Sequence, residues 1–138
     1  MPAGRNYDIK TKRFTAKKGG SCVAVGSTVA SGMKRYVTFI SVRQNSLARG
    51  AGSKLWFCSA AASQTINTTA LASVANKFTV RLVSAFGADK VFMYPRSGPD
   101  PENPLFSIAA SKLLSVRMTA TSQAGSASCT VFVQYYDQ

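Results

Sequence analysis

The chain has no histidine and only five carboxylates, Asp8, Asp89, Asp100, Glu102 and Asp137, across 138 residues. The first absence removes the commonest general base and the commonest metal ligand. The second leaves few acids to act in pairs. Only Asp100 and Glu102 are close in sequence, and Pro95 to Pro104 around them reads as a solvated loop. A calcium site would need more oxygen ligands nearby. Cys22, Cys58 and Cys129 are an odd number, which excludes a complete disulfide framework but leaves one bridge plus a free thiol open. Each sits among strand formers, so buried reduced thiols are the simpler reading. A zinc site would need a fourth ligand at closer spacing, and no histidine supplies it. No apolar run approaches the length of a membrane-crossing helix, about eighteen residues or more. No apolar run follows the first charges, which predicts a chain without a signal peptide, made in a reducing cytoplasm. No Ser, Cys or Lys has an adjacent base to activate it. The expectation is a protein without cofactor, metal or enzymatic activity.

What is present is positive charge on an apolar, β-rich background. Seventeen Lys and Arg give a formal net charge of +12, and 46% of the residues are hydrophobic. That balance excludes wholesale disorder and favours an anionic partner or surface. The length suits one domain, with roughly two-thirds of the chain's surface buried on folding.

Short apolar, β-branched runs alternate with turn signals along the chain. The pattern predicts strands over Cys22 to Ala30 (Val23, Val25 and Val29 inward), Arg35 to Arg43, Lys54 to Ala60, Lys77 to Ala85 and Val91 to Tyr94. A turn falls at Ser31-Gly32. In Arg35 to Arg43, strict alternation places Val37, Phe39 and Ser41 on one face and Tyr36, Thr38, Ile40 and Val42 on the other. Both faces are apolar enough for an interior strand or a subunit contact. Ala61 to Asn76 is ambiguous between strand and short helix. Asn103-Pro104 is a possible helix start, but Leu105 to Ile108 and Leu113 to Thr119 read better as two strands. Ser128 to Tyr136 alternates Cys129, Val131, Val133 and Tyr135 against Thr130, Phe132, Gln134 and Tyr136. Evenly spaced short strands predict an all-β fold, a single-domain antiparallel β-sandwich or jelly roll of about eight strands. Residues 1–20 form either an edge strand or a flexible basic arm, and residues 21–138 the sandwich.

The candidate binding residues are cationic. Arg5, Lys10, Lys12, Arg13, Lys17 and Lys18 crowd the first eighteen residues against a single acid, Asp8. They are candidates for anion or nucleic-acid contact through counterion release. Arg49 and Lys54 flank a run of small residues, Gly50-Ala51-Gly52-Ser53, whose backbone amides can approach an oxyanion. Its spacing is not that of a phosphate loop, and a strand follows it. A sandwich uses one apolar face of each sheet for its own core. The apolar set Tyr36, Thr38, Ile40 and Val42 is therefore the candidate oligomer interface.

Two stretches carry a resemblance. Gly32 to Val42 (GMKRYVTFISV), and Leu113 to Thr121 (LLSVRMTAT) followed by Thr130 to Tyr136 (TVFVQYY), look like strand pairs of small viral jelly-roll structural proteins, of the phage capsid decoration or coat type. The resemblance covers about half the chain and is a pattern of strands and turns. It implies a self-associating, non-enzymatic virion component, trimeric or lattice-forming. Its partners would be copies of itself and either an acidic capsid surface or packaged nucleic acid. The alternative from another class is a nucleic-acid-binding β-barrel module with a basic face.

Overall fold

The computed structural model describes residues 7–17, 22–44, 54–61, 75–81, 91–119 and 128–138. These form β1 (Lys10–Lys17), β2 (Val23–Val25), β3 (Arg35–Gln44), β4 (Lys54–Ala61), β5 (Ala75–Arg81), β6 (Val91–Tyr94), β7 (Phe106–Ile108), β8 (Lys112–Thr119) and β9 (Ser128–Asp137). The fold is all-β. One sheet runs β1-β9-β3-β6 with β7 also on β3, and the other runs β2-β8-β4-β5. Every ladder is antiparallel. Among the described residues there is no helix, hence none long and apolar enough to cross a membrane. The Asn103-Pro104 signal starts no helix, and the chain enters β7 instead, guided by the Leu105 amide donating to the Val37 carbonyl at 2.8 Å.

The pairing follows one rule. β1 pairs with β9, β2 with β8, β3 with β6 and β4 with β5, like the rungs of one long antiparallel ribbon. The ribbon is then folded over, and the β3–β9 and β4–β8 ladders close it into two sheets. β9 therefore lies inside its sheet, as its two apolar faces suggest. β1 is the edge strand on the far side of β9.

Alternation supplies the core. Cys129, Val131, Val133 and Tyr135 of β9 face Leu114, Val116 and Met118 of β8, with Leu55 and Phe57 of β4, Val80 of β5 and Val25 of β2 in the same cluster. Each fully buried Leu, Phe or Val stabilises the sandwich by about 1.5–3 kcal/mol relative to leaving it in water. Phe57, Phe78, Tyr94 and Phe106 fill one region of this core with tilted, edge-on and stacked ring contacts, Phe78 and Phe106 lying 5.9 Å apart.

Two features depart from the sequence reading. The first is a bulge in β3. Val37 pairs with Tyr135, yet Phe39 pairs with the adjacent Gln134, so Thr38 is an extra residue. Thr38 is buried, and its hydroxyl donates to the Gln134 carbonyl at 3.3 Å. One inserted residue flips every later side chain to the other face. Val37, Ile40 and Val42 thus all join the core, and Phe39, Ser41 and Arg43 turn outward. Of the expected interface set, Ile40 and Val42 are fully buried inside the protomer, Thr38 is in the bulge, and Tyr36 stacks on Tyr136 at 5.2 Å.

The second is a buried arginine. Arg35 is 2% exposed at the start of β3. Its Nε and Nη2 donate to the two carboxylate oxygens of Asp137 at 2.8 Å each, and Nη1 donates to the Val25 and Ser27 carbonyls at 2.7 Å. The guanidinium also lies 4.7 Å from the Tyr135 ring centroid. Gly26 makes the room. Its φ of +75° turns the chain out of β2, and a Cβ there would lie 2.6 Å from the Tyr135 hydroxyl oxygen and 2.9 Å from Arg35 Nη1.

Candidate binding surface

The outward side of the first sheet carries an open groove with a mixed polar and apolar lining. The antiparallel register builds it in rows. Arg13 on β1 lies opposite Phe132 on β9, Phe132 opposite Ser41 on β3, and Ser41 opposite Met93 on β6. The next row runs Thr15, Thr130, Arg43 and Val91 across the same four strands. Phe39 follows two residues before Ser41 and meets Phe132 edge-on at 6.3 Å. Arg13, Phe39, Ser41, Arg43, Val91, Met93, Thr130 and Phe132 enclose an open groove of about 500 Å³.

Its electrostatics are one-signed. Among the described residues, two guanidiniums line it and no carboxylate does. The Arg13 guanidinium carbon lies 5.4 Å from the Phe132 ring centroid, a cation–π distance that lays the side chain across the floor. Arg13 and Arg43 are both exposed. Strand spacing and rise place their Cα atoms on the order of 12 Å apart, diagonally across the groove. Val91 and Met93 remain 50% and 46% exposed on β6. β6 is the end of the sheet path, and among the described residues no strand pairs with its outer side.

Among the described residues the predicted cations do not gather at one place. Arg13 alone of that set lines the groove. Lys10 and Lys12 share the register of Phe14 and Ala16, so they belong to the opposite side of β1, where they are exposed. Lys17 ends β1 opposite Ser128. Lys54 begins β4 in the other sheet, with Nζ 5.5 Å from the Trp56 ring centroid. Arg5, Lys18 and Arg49 lie outside the described residues, as do the small-residue run beside Arg49 and residues 62–74 of the ambiguous stretch, whose ends, Ala61 and Ala75 with Asn76, lie in β4 and β5. Sequence reasoning missed Arg43, Phe39 and Phe132 as partners of Arg13. The register of β9 and β3 assigns them, and the bulge at Thr38 hid it.

Burial pushes the Cys129 thiol up to about 12, and burial, with Cys22 nearby, pushes Cys58 up to about 11. Both are held as thiols at neutral pH, the unreactive form. Asp100 is held below the usual carboxylate range by the Asn103 side chain, which donates to it at 2.9 Å, and by backbone donors including the Glu102 amide. Its hydrogen bonds stay within its own loop. Among the described residues no group of three or more Cys, Asp or Glu could hold a metal ion. No family model matches the chain, and no curated protein matches it by sequence.

Proposed function

We propose that the chain is a non-enzymatic structural protein of a virus particle, a self-associating jelly-roll component of decoration or coat type. The observation that carries the reading is the ribbon pairing. Four rungs, first strand to last through fourth to fifth, folded over into two facing sheets, are what a jelly roll requires, and particle subunits are a principal use of that architecture. The three-residue β7 is an addition at the edge of β3.

The self-association follows from β6. A sheet edge without a strand partner among the described residues, carrying Val91 and Met93 half exposed, is a template for another chain unless covered. A contact between β6 and a different patch of the next copy closes into a ring of three or propagates as a lattice. The excess of cations then faces an acidic capsid surface or packaged nucleic acid.

Sedimentation of the native protein tests the reading. A trimer or larger assembly is expected, and the V91K/M93K variant should fall to monomer without loss of fold, because both side chains already meet water. A native protein that stays monomeric at high concentration overturns it.

A further inference from the structure

We propose that the outer groove of the first sheet binds single-stranded nucleic acid, Arg13 and Arg43 taking phosphates while the Phe132 and Met93 floor takes a base. The inference goes beyond the particle reading: it rests on the lining of the groove, in which only Val91 and Met93 are shared with the self-association edge, and it is read by oligonucleotide affinity rather than by assembly.

The lining decides the ligand class. Two arginines offer planar forks that match phosphate oxygens. Ser41 and Thr130 add hydroxyls between them, and Phe39, Phe132, Val91 and Met93 add apolar surface. A groove of about 500 Å³ falls in the usual range for a bound small molecule, room for a nucleotide unit and part of its neighbour. Single strands are held by this combination, cations on the backbone and side-chain rings under the bases.

Other occupants fit less of it. A second copy laid face to face brings its own Arg13 and Arg43 against these two, like charge against like. An acidic protein surface answers the arginines and leaves the ring and thioether floor uncovered. A duplex keeps its base faces stacked inside, so it too answers only the arginines. A single strand covers both parts of the groove.

The test uses the full chain and fluorescently labelled oligothymidylate and oligouridylate, titrated from about 50 mM to about 200 mM salt. Both are expected to bind more tightly than a duplex of equal length. Tighter uridylate assigns a contribution of the 2′-hydroxyl, and equal affinities assign the shared phosphate and base chemistry. Each arginine contributes about 0.7 to the slope of log affinity against log salt, so R13Q/R43Q should flatten it by about 1.4 and weaken binding at least about tenfold at the lowest salt. F132L, with the apolar volume largely kept, should cost about fivefold or more with the slope unchanged. K54Q, in the other sheet, should leave affinity and slope as they are. Thermal melts establish that each variant is folded. Absence of binding at the lowest salt overturns the proposal. So does a folded R13Q/R43Q protein whose slope matches that of K54Q, or one whose assembly fails while its oligonucleotide affinity holds.

Discussion

Removing the carboxylate of Asp137 isolates a charge inside the sandwich. Asp137→Ala deletes both acceptors that Arg35 meets at 2.8 Å and leaves the guanidinium with the Val25 and Ser27 carbonyls. The guanidinium cannot shed its proton, so it must stay charged with two donors unanswered. Breaking a buried pair from one side costs about 3–5 kcal/mol. The Asp137 side chain is 15% exposed and the Arg35 side chain 2%, so some water reaches the carboxylate end and the lower figure applies, about 3 kcal/mol. A chain of this length unfolds with roughly 0.3 kcal/mol/K of entropy, so Tm should fall by about 10 °C. Urea unfolding gives the free energy directly, with an unchanged m-value showing that the folded state is as compact as before. The second half of the reasoning is the double variant. Replacing the whole pair by apolar groups, R35M/D137L, removes the stranded charge, so it should cost less than the two single changes added together. A D137A protein within about 1 kcal/mol of the parent would refute the argument, since that is the cost of an exposed ion pair.

Three further outcomes are expected. Gly26→Ala forces a side chain into left-handed backbone, about 1–2 kcal/mol, and drives its Cβ against Tyr135 and the pinned Arg35, so urea unfolding should show a loss of about 2 kcal/mol or more. Thr38→Val keeps the shape of the bulge residue and removes its bond to the Gln134 carbonyl, which should cost about 1 kcal/mol in the same assay; no change would mean that the hydroxyl contributes nothing to holding the bulge. The folded-state pKa of Cys129 is raised from 9.0 to about 12, so folding favours the protonated thiol. That contribution is complete below pH 9 and is lost as pH rises towards 12. Stability measured by urea from pH 8 upward should therefore fall less steeply in Cys129→Ala than in the parent, and identical slopes would contradict the burial of this thiol.

How much of this was legible in the chain depends on which physical signal each element carries. β9 was fully legible: ten residues of clean alternation, four of them inward, and apolar character on both faces that requires an interior position. β2 was legible in its inward residues and not in its length. Val25 and Val29 are both buried as read, but Gly26 turns the chain between them, and Val29 is held by exchanging backbone bonds with Lys112 and Ser111. The reason for that turn is the volume of Arg35 and Tyr135, which are close to Gly26 only in the folded chain. Arg35 itself reads as one more solvated cation, because the carboxylate that makes its burial possible lies 102 residues away. Local pattern reports periodicity well. It reports neither partners distant in sequence nor a single inserted residue.

That inserted residue has consequences for function as well as for the core. Without the bulge at Thr38, strict alternation after Val37 would send Phe39, Ser41 and Arg43 inward and Ile40 and Val42 outward. The core would then hold a guanidinium, and the outer face would hold two aliphatic side chains in place of a ring and a cation. The arginine's burial alone would cost several kcal/mol, more than a bulge does. Core packing therefore selects the register with the extra residue, and the same choice sets Arg43 across from Thr130, one row from Arg13 and Phe132. The cationic groove is thus a by-product of keeping charge out of the interior. Its position in the sheet is fixed by the stability of the fold, and a ligand need only meet a surface already in place.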